Sequence, residues 1–87
     1  MTTSATAAAK TVVVADDTAF VRDRFKTALQ TAGHRAHTAG TVPELLARLR
    51  SDAAQIDLMV VDLRLAGANG VELVRSIRAI DGGRIPI

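Results

Sequence analysis

Two short stretches decide the fold: TVVVADD at residues 11–17 and LMVVD at residues 58–62. Val12–Ala15 and Leu58–Val61 are unbroken apolar runs, and each is followed at once by Asp. A strand buried on both faces reads this way, whereas a strand with one wet face alternates. Between these stretches the period changes. Val21, Phe25, Ala28, Leu29 and Ala32 recur at helical spacing within residues 18–32, with Arg22, Asp23, Lys26 and Gln30 on the other face. Gly33 stands where a helix C-terminal glycine belongs. Residues 35–39, RAHTA, are shorter and more polar, which suits an edge strand. Thr41 and Glu44 have the spacing of a capping box, with Pro43 in the first turn, and Val42, Leu45, Leu46 and Leu49 carry a helix to about Ser51. Asn69 caps a third helix that turns Leu73, Val74, Ile77 and Ile80 inward, and Asp81-Gly82-Gly83 stops it. Ile85-Pro86-Ile87 reads as the start of a fourth strand.

Short strands alternating with helices imply crossovers onto a parallel sheet. The two apolar strands are expected beside each other and RAHTA at the edge. This spatial order, 2-1-3, begins a flavodoxin-like doubly wound α/β sheet, with a stub of strand 4 and the rest of that fold absent. Residues 1–10, MTTSATAAAK, are expected to form a disordered leader, and residues 11–87 a single domain.

The composition removes several alternatives. The 87 residues include no Cys, so no disulfide scaffold or thiolate zinc site is available, which fits a reducing, cytoplasmic setting. No apolar run approaches the roughly 18 residues of a membrane span. The core must be aliphatic, because the chain has two Phe and neither Trp nor Tyr. The net charge of +2 comes from 11 basic and 9 acidic residues. Arg22, Arg24, Lys26, Arg48, Arg50, Arg75 and Arg78 are scattered, with no stripe of interleaved aromatics, so direct nucleic-acid binding is not expected. His34 and His37 flank the polar edge strand and read as surface residues.

The chemistry concentrates at one place. In an open parallel sheet the functional crevice lies beyond the carboxyl ends of the strands, where the order reverses. There the first strand ends in Asp16-Asp17 and the third in Asp62. Adjacent strands lie about 4.8 Å apart, so these carboxylates converge and repel one another unless a cation sits among them. An oxygen-only donor set suits a hard ion such as Mg²⁺. No glycine-rich phosphate loop follows the first strand, which disfavours a nucleotide site. The simpler alternative is that these are strand-end polar residues, with Asp17 capping the first helix.

At this point the sequence resembles the receiver domain of bacterial two-component response regulators. The residues that carry the resemblance are VVVADD at 12–17, Arg22, Ala39, Glu44 and DLMVVDLRLAGANGVELV at 57–74, with Gly70 eight residues beyond Asp62. The resemblance implies that Asp62 accepts a phosphoryl group from a phosphohistidine. It implies that Asp17 ligates Mg²⁺ directly, Asp16 through water, and Arg64 through its backbone carbonyl. It also implies a sensor histidine kinase or a histidine phosphotransfer protein as partner. Such a module is not an enzyme beyond autocatalytic phosphoryl acceptance. The chain departs from the family at Ala66, where Pro is usual, with Gly67 able to support the turn. The family's switch Thr or Ser after strand 4 and its Lys after strand 5 have no counterpart in this chain.

Two other readings compete with phosphoacceptance. One is an interaction module that works without phosphorylation, as a degenerate or truncated receiver. The other is a magnesium-dependent hydrolase of the haloacid-dehalogenase type, which needs Asp-x-Asp where this chain has adjacent aspartates. The third strand and the face of the first helix around Phe25 and Leu29 are expected to lack cover. A second copy of the chain, or a partner supplying the missing half, is the expected remedy.

Overall fold

The computed structural model describes residues 8–65 and 69–87. Ala66, Gly67 and most of the expected leader lie outside the described residues. The elements are β1 (Thr11–Ala15), α1 (Ala19–Thr31), β2 (Arg35–Ala39), α2 (Val42–Asp52), a 3₁₀ turn (Ala53–Gln55), β3 (Leu58–Val61) and α3 (Gly70–Asp81). The sheet is parallel with order β2-β1-β3, as the hydrophobic pattern requires. β1 is buried along its whole length, because it pairs on both edges and is covered on both faces. Its register is even on both sides: Ala15 stands level with Ala39 and with Val61.

Val13, Ala15, Ala39 and Met59 face a core completed by Leu45 and Leu49 of α2 and by Leu73 and Ile77 of α3. Ile56, Leu65 and Ile85, which lie outside the regular elements, are also fully buried there. Each such side chain contributes about 1.5–3 kcal/mol relative to exposure. On the opposite face, α1 packs over β1 and β2. It buries no residue completely; Phe20 is 66% exposed and Phe25 41%. The apolar stripe of α1 is therefore real but only half covered. No helix among the described residues is long and apolar enough to cross a membrane.

Helix ends follow the local chemistry. Thr41 Oγ1 accepts the Glu44 N–H at 3.3 Å, and the Glu44 carboxylate reaches back to the Gly40 N–H at 3.3 Å rather than to that of Thr41. Asn69 caps α3 by accepting the Glu72 N–H, and Gly82 ends that helix in the left-handed conformation at φ 68°. Thr18, not Asp17, is the N-cap of α1, so Asp17 is not consumed as a cap.

Two expectations are corrected. Residues 85–87 form no strand. They supply a single rung, in which Met59 N–H donates to the Pro86 carbonyl at 2.9 Å, because Pro86 has no N–H to continue a ladder. β3 is consequently an edge, with Leu58 37% exposed. His34 and His37 are half-buried rather than on the surface, and His34 Nδ1 accepts the Lys10 N–H at 3.0 Å.

The C-terminal turn is locked by a buried carboxylate. Asp81 accepts the N–H groups of Gly83 at 2.8 Å and Ile85 at 2.9 Å, and Arg78 Nη1 at 2.7 Å. Burial alone would raise its pKa, but these donors and the Arg78 charge outweigh it and hold the carboxyl below 3.8. A carboxyl depressed in the folded state stabilises fully above its ordinary pKa, and that stabilisation is lost as pH falls through the folded value. Asp81→Asn is expected to lower stability at neutral pH by about 1–3 kcal/mol and to flatten the loss of stability below pH 3.8. Urea unfolding at a series of pH values checks both; an unchanged acid limb would remove Asp81 from it. A second expectation concerns the exposed α1 stripe and the β3 edge. Sedimentation of the isolated chain over a dilution series should show concentration-dependent self-association, and a compact monomer throughout would show that both surfaces are tolerated.

Candidate functional site

The last rungs of the sheet bring the acidic residues together. Asp16 N–H donates to the Ala39 carbonyl at 3.0 Å, and Asp62 N–H donates to the Ala15 carbonyl at 2.9 Å. Asp16 and Asp62 are thus the first residues beyond two adjacent strands, with Asp17 one step further on. Carboxylate oxygens of Asp16, Asp17 and Asp62 all lie within 4.8 Å of one another. Asp16 and Asp62 are half-buried and Asp17 is exposed. The three expected acidic residues therefore form one cluster.

Each acid is held differently. Asp16 Oδ1 accepts the Thr18 N–H at 2.8 Å, and the Asp16 carbonyl accepts Arg22 Nη1, also at 2.8 Å. Among the described residues, the Asp17 carboxylate has only a long contact, 3.4 Å, from the Thr18 hydroxyl. Asp62 Oδ1 accepts the Arg64 N–H at 2.8 Å, and the Arg64 guanidinium bridges both oxygens, with Nε 3.2 Å from Oδ1 and Nη2 3.4 Å from Oδ2. The backbone N–H of Arg64, followed by its guanidinium, keeps the Asp62 carboxyl below its ordinary pKa. The hydrogen bond to Asp62, and then the charge of that carboxylate, in turn raise that of Arg64.

The donor set fits a hard divalent cation. Among the described residues it consists of carboxylate oxygens at the sheet end, with no nitrogen or sulfur ligand in the cluster, and one carboxylate, that of Asp17, nearly free of hydrogen bonds.

Arg22 and Gly40 have site roles that residue patterns did not show. Arg22 reaches across from α1 to the Asp16 carbonyl and passes directly over Gly40. A Cβ at Gly40 would stand 2.9 Å from Arg22 Nη1. In the sequence Arg22 is one of the residues that carry the family resemblance, but no role attaches to it there, and a basic residue six positions after Asp16 reads equally well as a solvated helix face.

The chain matches the family described as response regulator receiver domain over residues 12–87. Among curated proteins, none matches it by sequence. Among solved structures, it is similar to a response regulator receiver protein from Pseudomonas putida, at 32% identity and TM-score 0.80, covering 92% of this chain and 66% of the other. It is similar to the non-phosphorylated HemR receiver domain from Leptospira biflexa, at 26% identity and TM-score 0.76, covering 88% and 60%. It is also similar to the chemotaxis protein CheY4 from Vibrio cholerae, at 26% identity and TM-score 0.78, covering 91% and 66%. The chain thus spans 60–66% of the length of these three relatives.

Gly40→Ala is expected to push the Arg22 guanidinium off the Asp16 carbonyl, since the flexible side chain yields before the backbone does. The cost should be about 0.5–1.5 kcal/mol, the net worth of one hydrogen bond. Arg22→Met should cost about the same, and the double variant no more than either single one. Additive losses in urea unfolding would show that the two residues do not act through one contact.

Proposed function

This chain belongs to the response regulator receiver domain family, and we propose that its Asp62 accepts a phosphoryl group from a phosphohistidine in two-component signalling. The observation that carries this reading is the convergence of Asp16, Asp17 and Asp62 at the carboxyl ends of β1 and β3. Asp62 is the acceptor because it directly closes β3, where its backbone is fixed by the rung to Ala15. As a carboxylate Asp62 is ionised at neutral pH, so no base is needed to prepare the nucleophile. A carboxylate oxygen of Asp62 forms the new O–P bond as the P–N bond of the donor breaks, and the electron pair of that bond returns to the imidazole nitrogen. Asp16, Asp17, Asp62 and the backbone carbonyl of Arg64 would hold Mg²⁺. Bound there, the ion would neutralise charge on the phosphoryl oxygens. The remaining work is positioning, done by the two terminal rungs and by the hold of Arg22 on Asp16. The donor is a sensor histidine kinase or a histidine phosphotransfer protein, and the setting is the cytoplasm.

Incubation with acetyl phosphate and Mg²⁺ is expected to add one phosphoryl group, read as intact mass. Asp62→Asn should take up none, because an amide is no acceptor, whereas Asp17→Asn should slow uptake without moving the site of labelling. Label persisting in Asp62→Asn would refute the assignment. No uptake by the folded wild-type chain would refute phosphoacceptance itself.

A further inference from the structure

One feature of the acidic cluster is not explained by phosphoacceptance. Among the described residues, Arg64 is the only cation paired with any of the three carboxylates; Arg22 reaches a backbone carbonyl instead. The Arg64 guanidinium occupies both oxygens of Asp62, through Nε on Oδ1 and Nη2 on Oδ2. A divalent cation shared by the cluster needs one of those oxygens. Both are cations drawn to one carboxylate, and a guanidinium spanning its two oxygens stands where the ion must approach and repels it, so the two compete for the same place. We propose that the Arg64 side chain is a tethered competitor for Mg²⁺, occupying Asp62 in the metal-free protein and leaving it when the ion binds.

The two halves of the pair differ in freedom. The Asp62 side chain is 15% exposed and held at its backbone, whereas that of Arg64 is 89% exposed. The guanidinium is the half that moves, and leaving costs it little packing. Its backbone lies only two residues from Asp62, so a released side chain stays within reach and rebinds as the ion departs. The electrostatics point the same way, since the charges of Asp16 and Asp17 also favour the guanidinium where it stands. Arg64 supplies there the positive charge that the cluster would otherwise draw from solution. The effect is to limit affinity for the ion without altering any ligand, because the carbonyl of residue 64 survives any substitution of its side chain.

The inference rests on the metal-binding role proposed above, and the test separates the two. Mg²⁺ is titrated into ¹⁵N-labelled wild type, Arg64→Ala, Arg64→Lys and Arg50→Gln at constant ionic strength, following the amides of Asp17 and Asp62. Arg50 lies in the last turn of α2, at the far end of the sheet, and controls for net charge. Arg64→Ala should bind Mg²⁺ about two- to fivefold more tightly, the range an exposed ion pair supports. Arg64→Lys should gain less, and Arg50→Gln should match the wild type. In the wild type, the Arg64 Nε–H resonance should move with the same midpoint as the two amides. Equal or weaker binding by Arg64→Ala would overturn the competition, as would an Nε–H signal that stays fixed. So would a gain in Arg50→Gln as large as that in Arg64→Ala. No binding by any folded variant would overturn the metal site itself and the competition with it.

Discussion

The constraint on which the rest depends is the even register of β1 with both neighbours. Ala15, Ala39 and Val61 stand level, so the chain leaves the sheet at one height on all three strands. Asp16 and Asp62 then follow as a matter of count, each tied by its own N–H to the strand beside it. A slip of one residue in β3 would turn Met59 out of the core and carry Asp62 away from the acidic pair. The burial of Val13 and Met59 on one face thus enforces the geometry of a site made wholly of polar residues. Packing energy, spread over many aliphatic side chains, holds together carboxylates that would otherwise repel one another.

Around that frame, charge is handled in two contrasting ways. Asp81 is buried and satisfied by two backbone N–H groups and Arg78, so its charge is a permanent part of the C-terminal turn. Asp17 and Asp62 sit at the surface end of the sheet, one nearly unbonded and the other covered by a side chain that is itself exposed. A fully satisfied carboxylate fixes structure. A partly satisfied one remains available for chemistry, and the contrast separates the structural acid from the functional ones more clearly than residue type does.

Much of this was legible in the sequence, because the decisive signals are local. β1 and β3 announce themselves as apolar runs ending in Asp, and the caps at Thr41 and Asn69 and the stop at Gly82 have short, specific chemistry. Strand order and the convergence of the three aspartates followed from the alternation of elements. What stayed hidden depends on distance in space. Ile56, Leu65 and Ile85 belong to no periodic pattern, yet all three are buried where α2, α3 and β3 meet. The role of Arg22 needs the neighbouring Gly40, eighteen positions later, to be seen at all. The side-chain pairing of Arg64 with Asp62 is local, two residues apart, yet sequence marks Arg64 only as an unusual charged neighbour of the acceptor and does not show that its guanidinium rests on the carboxylate itself. The stub of a fourth strand shrinks to one rung, from Met59 to Pro86, because the apolar triplet signals a strand while Pro86 has no N–H to extend it.

The thin cover over α1 has a consequence for how the molecule breathes. An element with no fully buried residue opens at lower free energy than the sheet beneath it, so its amides should exchange with solvent before those of β1. That opening is not neutral for the acidic end, because Arg22 belongs to α1 and its guanidinium holds the Asp16 carbonyl. Fraying of the first turn of α1 removes this support while leaving the rung from Asp16 to Ala39 in place. The acidic pair therefore sits between a strand buried along its whole length and a helix with no buried residue, and the support that Arg22 lends Asp16 lasts only as long as the first turn of α1 stays folded.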